Sequence, residues 1–433
     1  MPDYSIRLYD DEIISFHAEK HFDEISITIL SVNQNMSHLF PYDLQPNEDS
    51  ILHWLRRRVI PKNRTFVEEI LHSLGLQPND TLGIIDVCKG LSLNDSFWVV
   101  PRDFAGSFSE FNLYENPFSE VLSIVAYTGY GSTDKAFHTS PELTTDGMLP
   151  KAWRKKEDGI FLYKGGSSGA ANAGNEPYSE YYSSQIAHAM EINAIPYGLE
   201  RWRGILASTC KLFTDIDTSY VSMARIIGNV SLKKTLDFAA SQGEDFIEHL
   251  HSMLIFDALI RNEDRHFGNF GVLRDNRSGD IISPAPLFDH GLGLFSQAFG
   301  IELASADKLL NFANSFTPFY DNVTTRDICE IAMGKRQIQQ LHRLIDFHFE
   351  KHPLYNWTDE RLHVTEQCIK ARAIQLYNLA KDLHKNSKVF VSVQPEQPAR
   401  IAEQLAAAQQ QADAQSKDIP RQHDTDSKDN HSI

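Results

Sequence analysis

The residues able to do chemistry in this chain concentrate in two short stretches. The first reads Asp257-Ala-Leu-Ile-Arg-Asn-Glu-Asp264-Arg265-His266-Phe-Gly-Asn269-Phe-Gly271, and the second reads Pro286-Leu-Phe288-Asp289-His290-Gly291. Asp264 and Asn269 stand on a segment opened by an apolar helix, Phe246 to Ile260, and closed by Gly271. Asp289 follows a turn-like Arg274 to Asp280 and lies on a second loop after a hairpin. Two such loops can bring a carboxylate, a carboxamide and another carboxylate together. Oxygen donors of this kind suit Mg²⁺, which takes few ligands from protein and completes its shell with phosphate and water. The remaining carboxylate can accept or orient the proton of an attacking hydroxyl. A structural alternative stands beside this, because Asp-Arg pairs are commonly salt bridges. A zinc site on His266 and Asp264 would need further ligands, and no second histidine pair has ligand spacing.

The order D-R-H-x-x-N followed by F-D-H-G resembles the catalytic and metal-binding loops of the HipA-like kinases and, more distantly, of the phosphatidylinositol kinases. It inverts the H-R-D-x-x-x-x-N order of protein kinases. The resemblance implies an α+β, bilobal protein-kinase-like fold with a small sheet-rich N-lobe and a helical C-lobe. It implies ATP and Mg²⁺ as cofactors. Asp264 matches the catalytic aspartate, with Arg265 and His266 bracing the catalytic segment. Asn269 and Asp289 match the Mg²⁺ ligands, Asp257 a loop anchor, and His290 is read as a bystander. The implied activity is that of a serine/threonine kinase with a protein substrate and an antitoxin partner. Autophosphorylation at Ser140, Thr144 or Thr145 would fit the family. A small-molecule or lipid kinase on the same fold, or a nucleotide-binding pseudokinase, is the alternative.

Such a site needs an anchor for phosphates. Lys164 ends the strand-like Gly159 to Tyr163, so a sheet fixes it, and its ammonium can bind phosphate as a point charge. Glu180, in the first turn of the following helix, is its expected partner, and Glu176 the alternative. For the loop over the nucleotide the favoured stretch is Thr144 to Lys151, including Thr145 and Gly147. The glycine-rich Gly165 to Gly174 is the second candidate, with a flexible linker as its bland reading. Backbone around Phe213 to Asp215 is placed to receive adenine, although Phe213 could equally be core.

The elements that must position these groups divide the chain into four parts. They are an additional N-terminal α+β module over 1–118, a kinase-like N-lobe over 119–217, a helical catalytic C-lobe over 218–388 and a mostly disordered tail over 389–433. In the first part, strands are expected at Ile25 to Val32, Leu82 to Val87 and Phe97 to Val100, and helices at Asn47 to Arg58 and Asn63 to Leu74. Here W-L-x-x-R-x-I-P-x-N-R, Trp54 to Arg64, resembles the N-terminal region of some HipA-like proteins. In the second part, strands are expected at Val121 to Tyr127, Gly159 to Tyr163 and Ile205 to Phe213, with a helix over Tyr178 to Ile192. The Ala- and Gln-rich Arg400 to Ala414 reads as a frayed helix.

With 42% hydrophobic and 23% charged residues, the 433-residue chain has the composition of a soluble protein with a sizeable core. A net charge of -17 argues against general nucleic-acid or membrane binding. The basic run Arg56, Arg57, Arg58, Lys62 and Arg64 is read as a solvated helix face. Cys88, Cys210, Cys329 and Cys368 are widely spaced, which suits a reducing compartment. The acidic start has no apolar signal segment, so a cytoplasmic location is expected.

Overall fold

The computed structural model describes residues 3–21, 24–130, 140–170, 172–320 and 322–383. The expectations for the tail and for residues 384–388 lie outside these. Through Ala380 the chain forms one compact unit.

The first sheet is antiparallel, in the order β3-β2-β1-β4. Its strands are β1 (Asp3–Leu8), β2 (Asp11–His21), β3 (Glu24–Val32) and β4 (Phe97–Pro101). Helix α1 (Glu48–Arg56) starts where Asn47 Oδ1 accepts from Ser50 N at 2.9 Å, and it lays Ile51, Trp54 and Leu55 into the core beneath the sheet. Helices α2 (Val67–Ser73), α3 (Thr81–Cys88), α4 (Phe108–Phe111) and α5 (Glu120–Thr128) follow.

Four sequence expectations change here. Leu82 to Val87 lies in α3, and Val121 to Tyr127 lies in α5, not in strands. Both are short apolar runs buried on several sides, in which a strand period and a helix period cannot be told apart. The caps of α5 decide its type: Ser119 Oγ accepts from Leu122 N at 3.2 Å, and Gly129 ends the helix at φ 72°. The Asn63 to Leu74 helix is shorter than expected because Phe66 adopts φ 63°. The basic run is not all solvated. Arg58 and Arg64 are 2% exposed, with Arg58 paired to Asp95 at 2.6 Å and Arg64 to Glu142 at 2.7 Å.

The second sheet runs β5-β6-β8-β7, from β5 (Lys151–Lys156), β6 (Gly159–Gly165), β7 (Gly198–Trp202) and β8 (Ile205–Lys211). Between β6 and β7 comes α6 (Glu176–Ala189), with Tyr182 and Ile186 fully buried. A third sheet, β11-β10-β9, holds β9 (Thr218–Ser222) against the hairpin of β10 (Gly271–Asp275) and β11 (Ile281–Pro284). Gly271 is required where β10 meets β9, since a Cβ there would lie 2.1 Å from Val221 O.

Helices fill most of the rest: α7 (Met223–Ile227), α8 (Leu232–Gln242), α9 (Glu244–Ile260), α10 (Ala306–Ala313), α11 (Thr325–Ala332), α12 (Lys335–His342) and α13 (Asp359–Leu383). From Met253 to Ile260, every residue of α9 is buried. That makes it a rigid base for the segment that follows. Among the described residues no helix is long and apolar enough to cross a membrane.

Candidate active site

Helix α9 ends at Arg261, which takes the left-handed φ of 56° and turns the chain into the Asp264 loop. Asp257, one turn earlier, is the anchor of that loop. Its carboxylate accepts from Asn262 Nδ2 at 3.0 Å and from Arg265 Nε at 3.0 Å. The Asn262 side chain in turn accepts from Asp264 N at 3.3 Å. Arg265 is buried and reaches no solvent-facing position; its remaining hydrogen bonds go to Asn269 O at 3.1 Å, to Phe288 O and to His290 Nδ1 at 2.9 Å. It is therefore a positioning residue that fastens the Asp264 loop to the Asp289 loop.

His290 completes that fastening and is not a bystander. Burial and the adjacent Arg265 charge hold its pKa well below the ordinary histidine range, so the neutral ring accepts from Arg265 through Nδ1. Helix α6 holds the same loop from the other side. Glu180 accepts from His290 N at 2.7 Å, and Ser179 Oγ donates to His290 O at 2.7 Å and Gly293 O at 2.8 Å. Tyr197 OH accepts from Asp289 N at 3.1 Å. Asp289 itself sits at φ 58°, a conformation that a non-glycine residue keeps only when its surroundings dictate it.

Lys164, at the end of β6, donates to Glu180 Oε1 at 3.0 Å and to Asp289 Oδ1. The expected Lys164–Glu180 pair is formed, and Glu176 instead accepts from Ser167 N at 3.1 Å. Burial would raise the pKa of Asp289, but Lys164, Lys151 and Arg265 more than offset it and hold the carboxyl below the carboxylate range. The two carboxylates likewise outweigh burial at Lys164 and keep its ammonium charged. Asp264, half-buried, shifts the other way: burial, then repulsion from Asp289, raise its pKa. Two carboxylates are thus set apart, one firmly ionised and one more basic.

Asn269 donates from Nδ2 to Asp264 O at 3.1 Å, which leaves its carboxamide oxygen as the group able to face a cation. With ionised Asp289 it makes a small set of hard oxygen donors, the kind that fits Mg²⁺. Among the described residues, no group of three or more His, Cys, Asp or Glu side chains is arranged to hold a metal. His266, half-buried, accepts from Gly268 N at 3.1 Å through Nδ1.

These groups line one cavity of about 420 Å³, which Lys164, His266, Asn269 and Asp289 share with Thr144, Thr145, Gly147 and Phe213. Asp264 and Glu180 are not on the wall itself; Glu180 lies behind Lys164 with no exposed surface. Phe213 packs against Tyr220 and Phe288 at centroid distances of 5.6 Å, so its ring belongs to the wall beside the Asp289 loop. No described residue of 165–174 lines the cavity. Ser140 and Thr144 are buried and Thr145 is half-buried; Thr144 Oγ1 donates to Leu91 O at 2.7 Å and Thr145 Oγ1 to Pro141 O at 2.7 Å.

Lys151 is the group whose place the sequence reading missed. The two-residue turn Glu157-Asp158 pairs Lys156 with Gly159, and the same register sets Lys151 directly opposite Lys164. Two ammonium groups then share one buried face. Burial first, and Lys164 second, push the Lys151 pKa down to about 7. Its Nζ donates to Asp146 O at 2.7 Å, and the loop folds around it because Gly147, at φ 91°, has no Cβ. A Cβ there would lie 2.1 Å from that Nζ. Recognition of the β5–β6 hairpin would have given the pairing.

No protein-family model matches the chain. It is 26% identical over 259 residues to the serine/threonine-protein kinase CtkA of Helicobacter pylori strain J99, covering 49% of this chain and 78% of that protein. A crystal structure of the Helicobacter pylori proinflammatory kinase CtkA aligns with a TM-score of 0.44 at 19% identity, covering 54% of this chain and 93% of that one. HipA of Shewanella oneidensis MR-1, solved with HipB and operator DNA, aligns with a TM-score of 0.53 at 12% identity, covering 88% of this chain and 99% of that one. The resemblance to the HipA-like kinases is borne out by the sequence match to a kinase and by the HipA fold, and the mixed α+β architecture is shared with that fold.

Proposed function

We propose that this chain is an ATP- and Mg²⁺-dependent phosphotransferase of the HipA-like serine/threonine kinase type, acting on a hydroxyl of a protein. The observation that carries the reading is the convergence on one cavity of Lys164, Asn269 and Asp289, with Glu180 behind and Asp264 on the adjoining loop. In this reading the fold is bilobal. The sheet β5–β8 with α6 is the small lobe (119–217), the helices from α7 onward form the catalytic lobe (218–388), and residues 1–118 are an added module.

Lys164, oriented by Glu180, holds the α- and β-phosphates, while the loop from Thr144 to Lys151 covers them. Adenine is received near Phe213. Asn269 and Asp289 would hold Mg²⁺, which would neutralise negative charge on the nucleotide phosphates. Asp264 accepts the hydrogen bond of the acceptor hydroxyl as the new O–P bond forms and the bond to ADP breaks; its raised pKa suits a base. Arg265 and His290 keep the two loops in register. A cytoplasmic location and an antitoxin partner belong to the same proposal; the HipA neighbour was solved as a toxin–antitoxin system with HipB and operator DNA.

The test is a comparison of Asp264→Asn with wild type in ATP turnover and nucleotide binding. Transfer should fall by about 10²- to 10⁴-fold, with nucleotide affinity within about threefold. Undiminished transfer in the folded variant would remove Asp264 from the role.

A further inference from the structure

The N-terminal segment carries a motif that the catalytic reading leaves without a purpose, Trp54 to Arg64. Its last residue makes a dense set of contacts. The Arg64 side chain and its partner Glu142 have no exposed surface. One guanidinium nitrogen donates to Glu142 O at 2.7 Å and to Thr145 O at 3.2 Å. The other donates to Glu142 Oε2 at 2.7 Å and to Lys151 O at 2.9 Å. The second Glu142 oxygen accepts from Trp153 N at 2.8 Å.

A single planar cation therefore ties the beginning of the loop (Glu142, Thr145) to its end (Lys151, Trp153). The next residue holds its middle: Thr65 donates to Met148 O from both its N–H, at 2.9 Å, and its hydroxyl, at 2.6 Å. Ser92, Leu93 and Asn94, also from the first hundred residues, line the cavity directly. Neither Arg64 nor Thr65 touches Asp264, Asn269 or Asp289.

We propose that Arg64, assisted by Thr65, is the positioning residue of the phosphate-covering loop, so that the N-terminal segment sets nucleotide affinity rather than the rate of transfer. The inference rests on the nucleotide reading of the cavity. A planar fork satisfies backbone and carboxylate acceptors at fixed angles, which a lysine in its place cannot reproduce. The loop's backbone and Lys151 would then lose their fixed positions over the phosphates. The base and the oxygen donors stand on the Asp264 and Asp289 loops, which Asp257, Arg265 and Glu180 hold, and would keep their places. Loss of the clamp is thus expected in KM and Kd, and much less in kcat.

The experiment measures Mg²⁺–ATP steady-state kinetics and calorimetric binding of Mg²⁺–ADP on the full chain. The proteins compared are wild type, Arg64→Lys, Thr65→Val and Lys164→Ala. Arg64→Lys should raise KM and Kd by about tenfold or more, with kcat within about threefold. Thr65→Val loses one hydroxyl bond, that to Met148 O, at a half-buried position, and should raise both by about two- to fivefold. If Arg64→Lys does not fold, Thr65→Val decides alone. Wild-type binding that Lys164→Ala abolishes upholds the nucleotide reading by itself. With that in hand, unchanged KM and Kd in the folded Arg64 and Thr65 variants, or a fall confined to kcat, overturns the positioning role. A wild type that binds no nucleotide overturns both.

Discussion

Lys151 gives the account its sharpest quantitative consequence. Opposite Lys164 on a buried face, its ammonium has a pKa of about 7 in the free protein. Phosphates placed between the two lysines would supply the missing counter-charge and raise that value well above 7. Below pH 7 Lys151 is charged in the free and bound states alike, so affinity is flat. Above pH 7 the free protein must take up a proton to bind, and affinity falls with a slope approaching tenfold per pH unit, about 50-fold between pH 7 and 9. Lys164 and Asp289, shifted up and down respectively, do not change charge in that window. Calorimetry at pH 8 in buffers of different ionisation enthalpy should count an uptake of about 0.9 proton in the wild type and close to none in Lys151→Met. A flat affinity from pH 6 to 9, or a slope that survives in Lys151→Met, would refute the reasoning.

The same lysine predicts a trade of stability for function. Its pKa falls from 10.5 to about 7 on folding, so stability declines as pH drops through that range and is lowest below 7. At roughly 1.4 kcal/mol per pH unit the penalty has a ceiling of about 5 kcal/mol, part of it offset by the bond to Asp146 O. Lys151→Met should therefore stabilise the protein by about 2 kcal/mol at pH 6.5 and by less at pH 9.5, in urea melts at each pH; destabilisation at pH 6.5 would contradict this. Arg265→Met leaves Asp257 buried without its cation and should cost about 3–5 kcal/mol in urea unfolding, whereas a loss under about 1 kcal/mol would mean that the loops hold without it. Glu180→Gln keeps an acceptor for His290 N but removes one of the two charges on Lys164. It should lower kcat/KM for ATP by about tenfold or more, while Glu176→Gln, which takes from Ser167 N only a charged acceptor, should change it by less than about threefold.

The reading from sequence went furthest where function is local. Asp264, Asn269 and Asp289 sit on two loops close in the chain, so a short spacing is enough to group them. Lys164 and Glu180 were legible too, as a strand end and a residue of the next helix, although that helix starts at Glu176 and so carries Glu180 in its second turn rather than its first. What escaped depends on register or on distant partners. Lys151 faces Lys164 only because of a two-residue turn, and β5 has an unremarkable mix of lysines and apolar residues. Arg58 and Arg64 looked like part of a solvated basic run. Their partners Asp95 and Glu142 lie 37 and 78 residues downstream, beyond the reach of any local pattern. Helices α3 and α5 were hidden by burial on several sides, which erases the polar face that marks a helical period. His290 looked incidental because the arginine that claims it is 25 residues away.

The central claim is that Asp264 and Asp289 serve phosphoryl transfer from ATP. Intact-mass spectrometry after incubation with ATP and Mg²⁺, alone and with a protein extract whose phosphoproteins are then compared, tests it directly. The account predicts phosphate added to the wild type or to an extract protein, and none with Asp264→Asn or Asp289→Asn. Transfer that persists in either folded variant, or a wild type that binds nucleotide yet phosphorylates neither itself nor any extract protein, would contradict it.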